Sequence, residues 1–291
     1  MRLGFRNSLG YAALVCLLAV IRPGMARADF VSTAVGTNPL AYWTLQSQND
    51  ASVVSPNYSS TDENGATVVP AGPGAPQANA LSLQGNSTSS PQFAETGLSG
   101  GIPGQGSMMA WVNLAALPSV AGRIFYVSGE SQFGNDFDLQ LQTDNRIYFY
   151  TGSGENTNYA PDATTLVGNW HMIAVTYQGG SSGFRDIYWD GSLAASFTGS
   201  VDSAAKSDPF NIGYSTVFTG RNFNGLISDV AVWNTPLTAQ QISAIYDARG
   251  SSGTPVPEPA SLSLFGVSLL ALTWLARPDA RKRARHGAVL R

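Results

Sequence analysis

Residues able to do chemistry are sparse in this chain. Between positions 29 and 253 the only glutamates are Glu63, Glu95, Glu130 and Glu155. Hydrolysis of a glycosidic bond takes two carboxyl groups flanking the bond at a set separation. The nearest thing to such a pair is Asn135-Asp136-Phe137-Asp138. Residues two apart on a strand share a face, so Asp136 and Asp138 would point the same way. That arrangement could hold an ion, touch a sugar hydroxyl or simply face water. His171 is the only histidine ahead of the basic C-terminus, and it sits in the alternating run Trp170 to Tyr177. No nucleophile elbow accompanies it, so it reads as a hydrogen-bonded strand histidine rather than the base of a triad. No cluster of histidine and cysteine is spaced for zinc.

Two binding chemistries fit the residue types better. Adjacent Asp62 and Glu63 supply the charged oxygens that calcium prefers. Tyr148 and Tyr150 share a face opposite Phe149, and Tyr159 follows in a segment rich in glycine and asparagine. An apolar ring face beside hydrogen-bonding partners is what a sugar site needs. The candidate glycan contacts are therefore Asp136, Asp138, Tyr148, Tyr150 and Tyr159. Charge points the same way. From 29 to 253 there are 13 aspartates and 4 glutamates against 5 arginines and 1 lysine, a balance of −11, whereas the whole chain stands at −3. Such a segment has no basic patch to neutralise phosphates, which excludes nucleic acid as a partner.

The elements that must position these residues are strands. Short apolar runs alternate with clusters of Gly, Asn, Asp and Ser: Leu40 to Leu45, Leu81 to Leu83, Met108 to Leu114, Arg123 to Ser128, Phe137 to Gln142 and Arg146 to Tyr150, then Trp170 to Tyr177, Phe184 to Trp189, Leu193 to Phe197, Phe210 to Gly213 and Leu226 to Trp233. Asp144-Asn145 and Asp190-Gly191 are hairpin turn signals. The stretch from Pro70 to Gly106 reads as loop apart from Leu81-Ser82-Leu83. Many strands at close spacing predict a sandwich or barrel. One helix stands near the end: Thr238 caps it, Gln241 closes a capping box, Ile242, Ile245 and Tyr246 share a face, and Gly250 stops it.

Both ends carry targeting signals. Arg2 and Arg6 precede an apolar run from Leu9 to Ile21, and Ala26-Arg27-Ala28 follows. A positive start, a short apolar run and an A-x-A site make a secretory signal peptide over 1–28, with Ala26 and Ala28 read by signal peptidase and Asp29 the mature N-terminus. Cys16, the only cysteine, lies inside it, so no disulfide staples the mature chain. Residues 251–256 read as a linker. The uncharged run 260–276 has 17 residues, enough at about 1.5 Å each to cross a thin bilayer. The basic cluster Arg277, Arg281, Lys282, Arg283 and Arg285 would stay on the cytoplasmic side of the inner membrane, leaving the domain at 29–250 outside.

Pro257-Glu258-Pro259, a single short span and a terminal basic cluster, in that order over residues 257–291, resemble the PEP-CTERM sorting signal of Gram-negative bacteria. The resemblance implies processing near the triplet by an exosortase, a host that makes exopolysaccharide, and a final location that is secreted or at the cell surface. In the middle, Ala41-Tyr42-Trp43-Thr44-Leu45, Met109-Ala110-Trp111-Val112, Asn169 to Tyr177, Ile187-Tyr188-Trp189-Asp190-Gly191 and Phe223 to Asn234 resemble a laminin-G-like, concanavalin-type jelly roll. That implies an all-β sandwich of two antiparallel sheets with one short C-terminal helix. Members that hydrolyse glucans carry E-x-D-x-x-E on one strand, a pattern absent here. Members that bind calcium place an aspartate in the closing strand. Here Ser228 occupies that position and Asp229 comes one residue later, so Asp229 joins Asp62 and Glu63 as a candidate metal ligand. The expectation is an exported, non-catalytic glycan- or ligand-binding module. A polysaccharide hydrolase or lyase and a purely structural matrix component are the competing readings.

Overall fold

The computed structural model describes residues 29–85, 90–98, 103–119, 122–127, 137–151, 156–201, 210–214 and 221–249. The signal segment, the linker, the Pro257-Glu258-Pro259 triplet, the apolar run, its basic cluster and Asp136 all lie outside them. Among the described residues no helix is long and apolar enough to cross a membrane.

The chain runs α1 (Phe30–Val35), β1 (Ala41–Trp43), β2 (Ser60–Glu63), β3 (Thr67–Pro70), β4 (Asn79–Leu83), β5 (Phe93–Thr96), β6 (Gln105–Leu114), β7 (Gly122–Val127) and β8 (Phe137–Leu141). It continues through β9 (Ile147–Tyr150), β10 (Asn156–Tyr159), α2 (Ala163–Leu166), β11 (Trp170–Gln178), β12 (Gly180–Trp189), β13 (Ser192–Val201), β14 (Phe210–Ile212), β15 (Gly225–Trp233) and α3 (Ala239–Asp247). An 8-stranded antiparallel sheet has the order β13-β12-β11-β6-β15-β4-β3, with β1 also on β15. A 7-stranded antiparallel sheet has the order β10-β9-β8-β7-β14-β5-β2. Every strand read from the sequence is present. Short or polar β2, β3, β5 and β10 were not legible, because a four-residue strand carries too few alternations to register. β5 and the early start of β6 also replace part of the loop expected between Pro70 and Gly106.

The alternation explains the layers. On β6, Met108, Ala110, Val112 and Leu114 face the other sheet and join a core that includes Trp43, Phe137, Phe149, Phe210 and Val232. Met109 and Trp111 point the opposite way, into a second core with Phe30, Tyr42, Trp170, Met172, Trp233, Ile242 and Ile245. Both faces of this central strand are thus dry, and helices close the outer one. The Phe30 ring meets Trp111 edge-on at 5.9 Å. Tyr246 stacks on Trp111 at 5.7 Å, and the Arg249 guanidinium caps Tyr246 at 3.6 Å. α3 is capped by Thr238 with the reciprocal Gln241 bond, as the sequence predicts. It ends at Asp247 with Ala248 as its C-cap, and Gly250 is outside the described residues. α1 and α2 are additional. Each is a single short turn or two led by an aspartate cap, Asp29 and Asp162.

Both hairpin signals hold. Asn145 has φ 62°, and Asp190 and Gly191 have φ 49° and 81°, the paired left-handed geometry of a two-residue turn. A Cβ on Gly191 would also stand 2.8 Å from Tyr246 Cβ, so the hairpin tip packs directly on α3.

Candidate functional site

In the 7-stranded sheet, Leu139, Leu141, Ile147, Phe149, Phe210 and Ile212 face the core. Their strand neighbours Asp138, Gln140, Tyr148, Tyr150 and Asn211 therefore face outward. The registers align them across strands. Asn156 pairs with Tyr150, Tyr150 with Asp138, and Asp138 with position 126 of β7. Position 126 pairs with Asn211, Asn211 with Glu95, and Glu95 with Thr61. One polar row thus crosses the whole sheet, with Asn158, Tyr148 and Gln140 forming a second row beside it.

The rings of Tyr148 and Tyr150 lie 5.9 Å apart and nearly parallel, at 15°. Tyr148 donates its hydroxyl hydrogen to Asp144 Oδ2 at 2.8 Å, and Tyr150 Oη accepts from Gln142 Nε2 at 2.9 Å. Both rings are held as a half-exposed platform. Next to it, Asp138 and Gln140 are 2% and 3% exposed, and Asn211, three strands along the row from Tyr150, is 3% exposed. Gln140 Oε1 and Asn211 Oδ1 have no hydrogen-bond partner among the described residues. Buried polar atoms in folded proteins almost always have one, so these two acceptors call for a donor, either an ordered water or a ligand hydroxyl. Neither residue was singled out from sequence. The signal is there, however: Gln140 and Asn211 are polar residues at outward positions between core residues, in Leu139-Gln140-Leu141 and Phe210-Asn211-Ile212.

The other candidates disperse. Tyr159 opposes Ile147 and packs inward, its ring 5.9 Å from Trp189, so it belongs to the core edge rather than to the platform or to a loop. Asp62 and Glu63 lie on β2, not in a loop. Asp62 accepts from the Asn49 amide at 2.9 Å, and burial, with Asp50 and Glu63 nearby, raises its pKa.

Asp229 is fully buried in the other sheet, where it accepts from Tyr42 Oη at 2.6 Å, from Gln77 Nε2 at 2.7 Å and from Ser228 Oγ. Burial pushes its carboxyl up to about 6. A one-residue offset would normally send Ser228 and Asp229 to opposite faces. A β-bulge intervenes: Ser228 pairs with Trp111 and Ala231 with Met109, and Asp229 is the extra residue at φ 54°. Both side chains are consumed in one internal network. No group of three or more His, Cys, Asp or Glu able to hold a metal occurs among the described residues.

His171 is the satisfied strand histidine expected. Nδ1 lies 2.8 Å from Asp190 Oδ2, Nε2 lies 3.0 Å from the Thr165 carbonyl, and the ring stacks on Trp189 at 4.3 Å. Carboxyls on the outward row are also poorly placed for catalysis. Asp138 and Glu95 are three strand spacings apart, about 14 Å, well beyond the separation a glycosidase uses.

Comparison with known proteins places this geometry. Residues 84–243 match the family model of the concanavalin A-like lectin/glucanases superfamily, which is more than half of the chain. Residues 255–282 match the PEP-CTERM protein-sorting motif. No curated protein matches. Similar solved structures include domain 4 of AbnA, a GH43 extracellular arabinanase from Geobacillus stearothermophilus, in complex with arabinotriose. It is 16% identical at TM-score 0.53, over 72% of this chain and 98% of that one. The ligand-binding domain of botulinum neurotoxin serotype D in complex with N-acetylneuraminic acid is 10% identical at TM-score 0.56, over 75% of this chain and 53% of that one. The receptor-binding domain of the C/D mosaic serotype is 10% identical at TM-score 0.55, over 73% and 52%. The chain spans about half the length of the neurotoxin domains it matches. At these identities the likeness is one of fold. With the family model covering β5 to β15, the chain belongs to the concanavalin A-like lectin/glucanase superfamily and carries a PEP-CTERM sorting motif.

Proposed function

We propose that this is an exported, exosortase-sorted surface or matrix protein whose jelly roll binds a neutral glycan without cleaving it. The binding face is the outer side of the 7-stranded sheet, around Tyr148, Tyr150, Asp138, Gln140 and Asn211. The observation that carries the reading is the buried acceptor Gln140 Oε1, unpartnered among the described residues, beside a stacked tyrosine platform, with Asn211 Oδ1 a second such acceptor further along the same face. Sugar hydroxyls are donors of the right kind, and a pyranose or furanose face packs on an aromatic ring.

Charge selects the ligand class. The segment's balance of −11, with Asp138 and Glu95 in the row itself, repels carboxylated and sulfated sugars. Neighbouring folds were captured with arabinotriose and with N-acetylneuraminic acid, and the acidic face here favours the neutral kind. Support for export comes from the sorting motif at 255–282 together with the N-terminal signal pattern.

The test is calorimetry of the exported protein against neutral oligosaccharides, arabino-oligosaccharides among them, and against sialylated or sulfated ones, with reducing ends assayed in parallel. Binding of a neutral glycan with no new reducing ends is expected. Preference for anionic glycans, or release of reducing ends, would sink the reading.

A further inference from the structure

The two ends of the domain are held very differently. α1 follows the Ala26-Arg27-Ala28 site with a single residue between, and that residue, Asp29, is its N-cap. Asp29 is engaged through side chain and backbone. Oδ1 accepts from the Ser32 amide at 2.7 Å. Its carbonyl accepts from the Thr33 amide at 3.0 Å, from Thr33 Oγ1 at 2.9 Å and from Ser32 Oγ at 3.1 Å. Phe30 and Ala34 are buried in the second core with Trp111 and Trp233. Just past the helix, Trp233 Nε1 donates to Thr37 Oγ1 at 2.9 Å.

A protease cleft takes its substrate as an extended strand and pairs with its backbone. For a cut after Ala28, the residues beyond the bond are Asp29 and Phe30. In the folded domain the Asp29 carbonyl is committed to Ser32 and Thr33, and the Phe30 ring lies against Trp111. Neither residue can enter a cleft unless α1 unwinds and a phenyl ring is exposed to water. The other end has room. α3 is docked through Ile242 and Ile245, and Arg249 caps Tyr246. Residues 250–256 then separate Arg249 from Pro257, 7 residues in all. At about 3.3 Å each they reach some 23 Å, so an enzyme can take the triplet without disturbing α3.

We propose a fixed order of processing: the bond after Ala28 is cut before the domain folds, and the cut near Pro257-Glu258-Pro259 comes after it has folded. The chain therefore reaches the outer face of the inner membrane unfolded. The order rests on reading 1–28 as a signal segment and 257–291 as a sorting signal. Hydrolysis breaks the Ala28–Asp29 amide. Water gives its hydroxyl to the Ala28 carbonyl carbon and a proton to the Asp29 nitrogen. The new ammonium stands at a helix N-terminus, where positive charge is unfavourable, and the Asp29 carboxylate beside it offsets that. α1 can then close onto Trp111.

The test of the first cut uses the full-length precursor, folded in detergent, with purified signal peptidase. Wild type is compared with Phe30→Ser and with a chain carrying a short Gly-Ser spacer, led by Asp, between Ala28 and Asp29. The spacer keeps aspartate after the cut and moves α1 away from it. Melting curves show that each precursor is folded. The wild type should be cut roughly tenfold or more slowly than the spacer chain, the factor that burial of one large apolar side chain represents, with Phe30→Ser between them. Equal rates for wild type and spacer chain overturn the proposal, as does a Phe30→Ser precursor cut no faster than wild type. A spacer chain that is itself never cut after Ala28 would instead sink the signal-segment reading. The second cut is followed in cells. Deleting 250–255 should block it at unchanged melting temperature, because a folded domain would then crowd the triplet. A Gly-Ser run of equal length in their place should restore it. Normal processing of the deletion, or failure of the Gly-Ser replacement, overturns the second half of the order, whereas wild type never cut near the triplet would sink the sorting-signal reading.

Discussion

His171 Nδ1 stands 2.8 Å from Asp190 Oδ2, the residue that turns the β12–β13 hairpin, while its Nε2 faces the Thr165 carbonyl at 3.0 Å. Both partners can only accept. A neutral imidazole has one donor, so this geometry calls for the doubly protonated ring. Burial pulls the pKa down, but the hydrogen bonds to Asp190 and Thr165 outweigh it, and the net shift is above 6.5. Asp190 Oδ1 also accepts from the Met172 amide at 2.9 Å, so the pair ties the hairpin to β11.

The first prediction follows from that sign. A histidine whose folded pKa is raised contributes stability that is fully present below 6.5 and fades as pH rises through the folded value. His171→Gln should therefore lower the melting temperature most at about pH 5 and least at about pH 9. A pH-independent difference would show that the ring is neutral throughout.

Asp229 makes a prediction of the same sign in a lower pH window. Its carboxyl is raised to about 6, so the folded state holds a proton that the unfolded chain releases near 3.8. Stability from this group is greatest below 3.8 and is lost as pH rises to about 6. Two units correspond to on the order of 3 kcal/mol. Asp229→Asn keeps an acceptor for Tyr42 and Gln77 and should flatten the loss over this window, with a gain at neutral pH. Asp229→Ala leaves those donors unpaired and should cost about 1–3 kcal/mol for each. Urea midpoints against pH decide both.

At the proposed glycan face, Gln140→Ala and Asn211→Ala each remove one acceptor. A net hydrogen bond is worth about 0.5–1.5 kcal/mol, so affinity should fall roughly 2- to 13-fold. Tyr150→Ala should do at least as much by removing half the platform. Tyr159→Ala should leave affinity unchanged, because that ring faces the core. Calorimetry with a neutral glycan that binds the wild type is the measurement.

Calcium should matter little to this domain. Asp229 is saturated by internal donors, and Asp62 and Glu63 lie on the other sheet. A native-state site at a hundred times its Kd would add about 2.7 kcal/mol and raise the melting temperature by several degrees. Scans in calcium and in chelator should superimpose. A rise of that size would show that the native domain holds calcium.

Processing can be checked by mass. Asp29 caps α1, accepting from the Ser32 amide at 2.7 Å, and Phe30 is buried on Trp111. Cleavage after Ala28 leaves this corner intact, so the exported chain should begin at Asp29. At the other end, Glu258→Ala or deletion of Arg281 to Arg285 should leave uncut protein in the inner membrane. Normal delivery of the Glu258→Ala protein would remove Glu258 as a recognition residue. Exported wild type that retains the span would make the tail an anchor.

By itself the sequence determined the C-terminal sorting motif, the fold class and every strand long enough to alternate. Periodicity is a local property: Met108, Ala110, Val112 and Leu114 declare one face wherever the strand finally lies. Thr238 and Gln241 likewise cap α3 through contacts three residues apart. Only the tertiary structure decided what depends on register between distant segments. Gln140 and Asn211 share a face because β8, β7 and β14 are neighbours, which no spacing along the chain reveals. Tyr159 was separated from Tyr148 and Tyr150 by its pairing with Ile147. The bulge at Asp229 let Ser228 and Asp229 share one buried network instead of facing opposite ways, because one extra residue in a ladder resets the facing of everything after it.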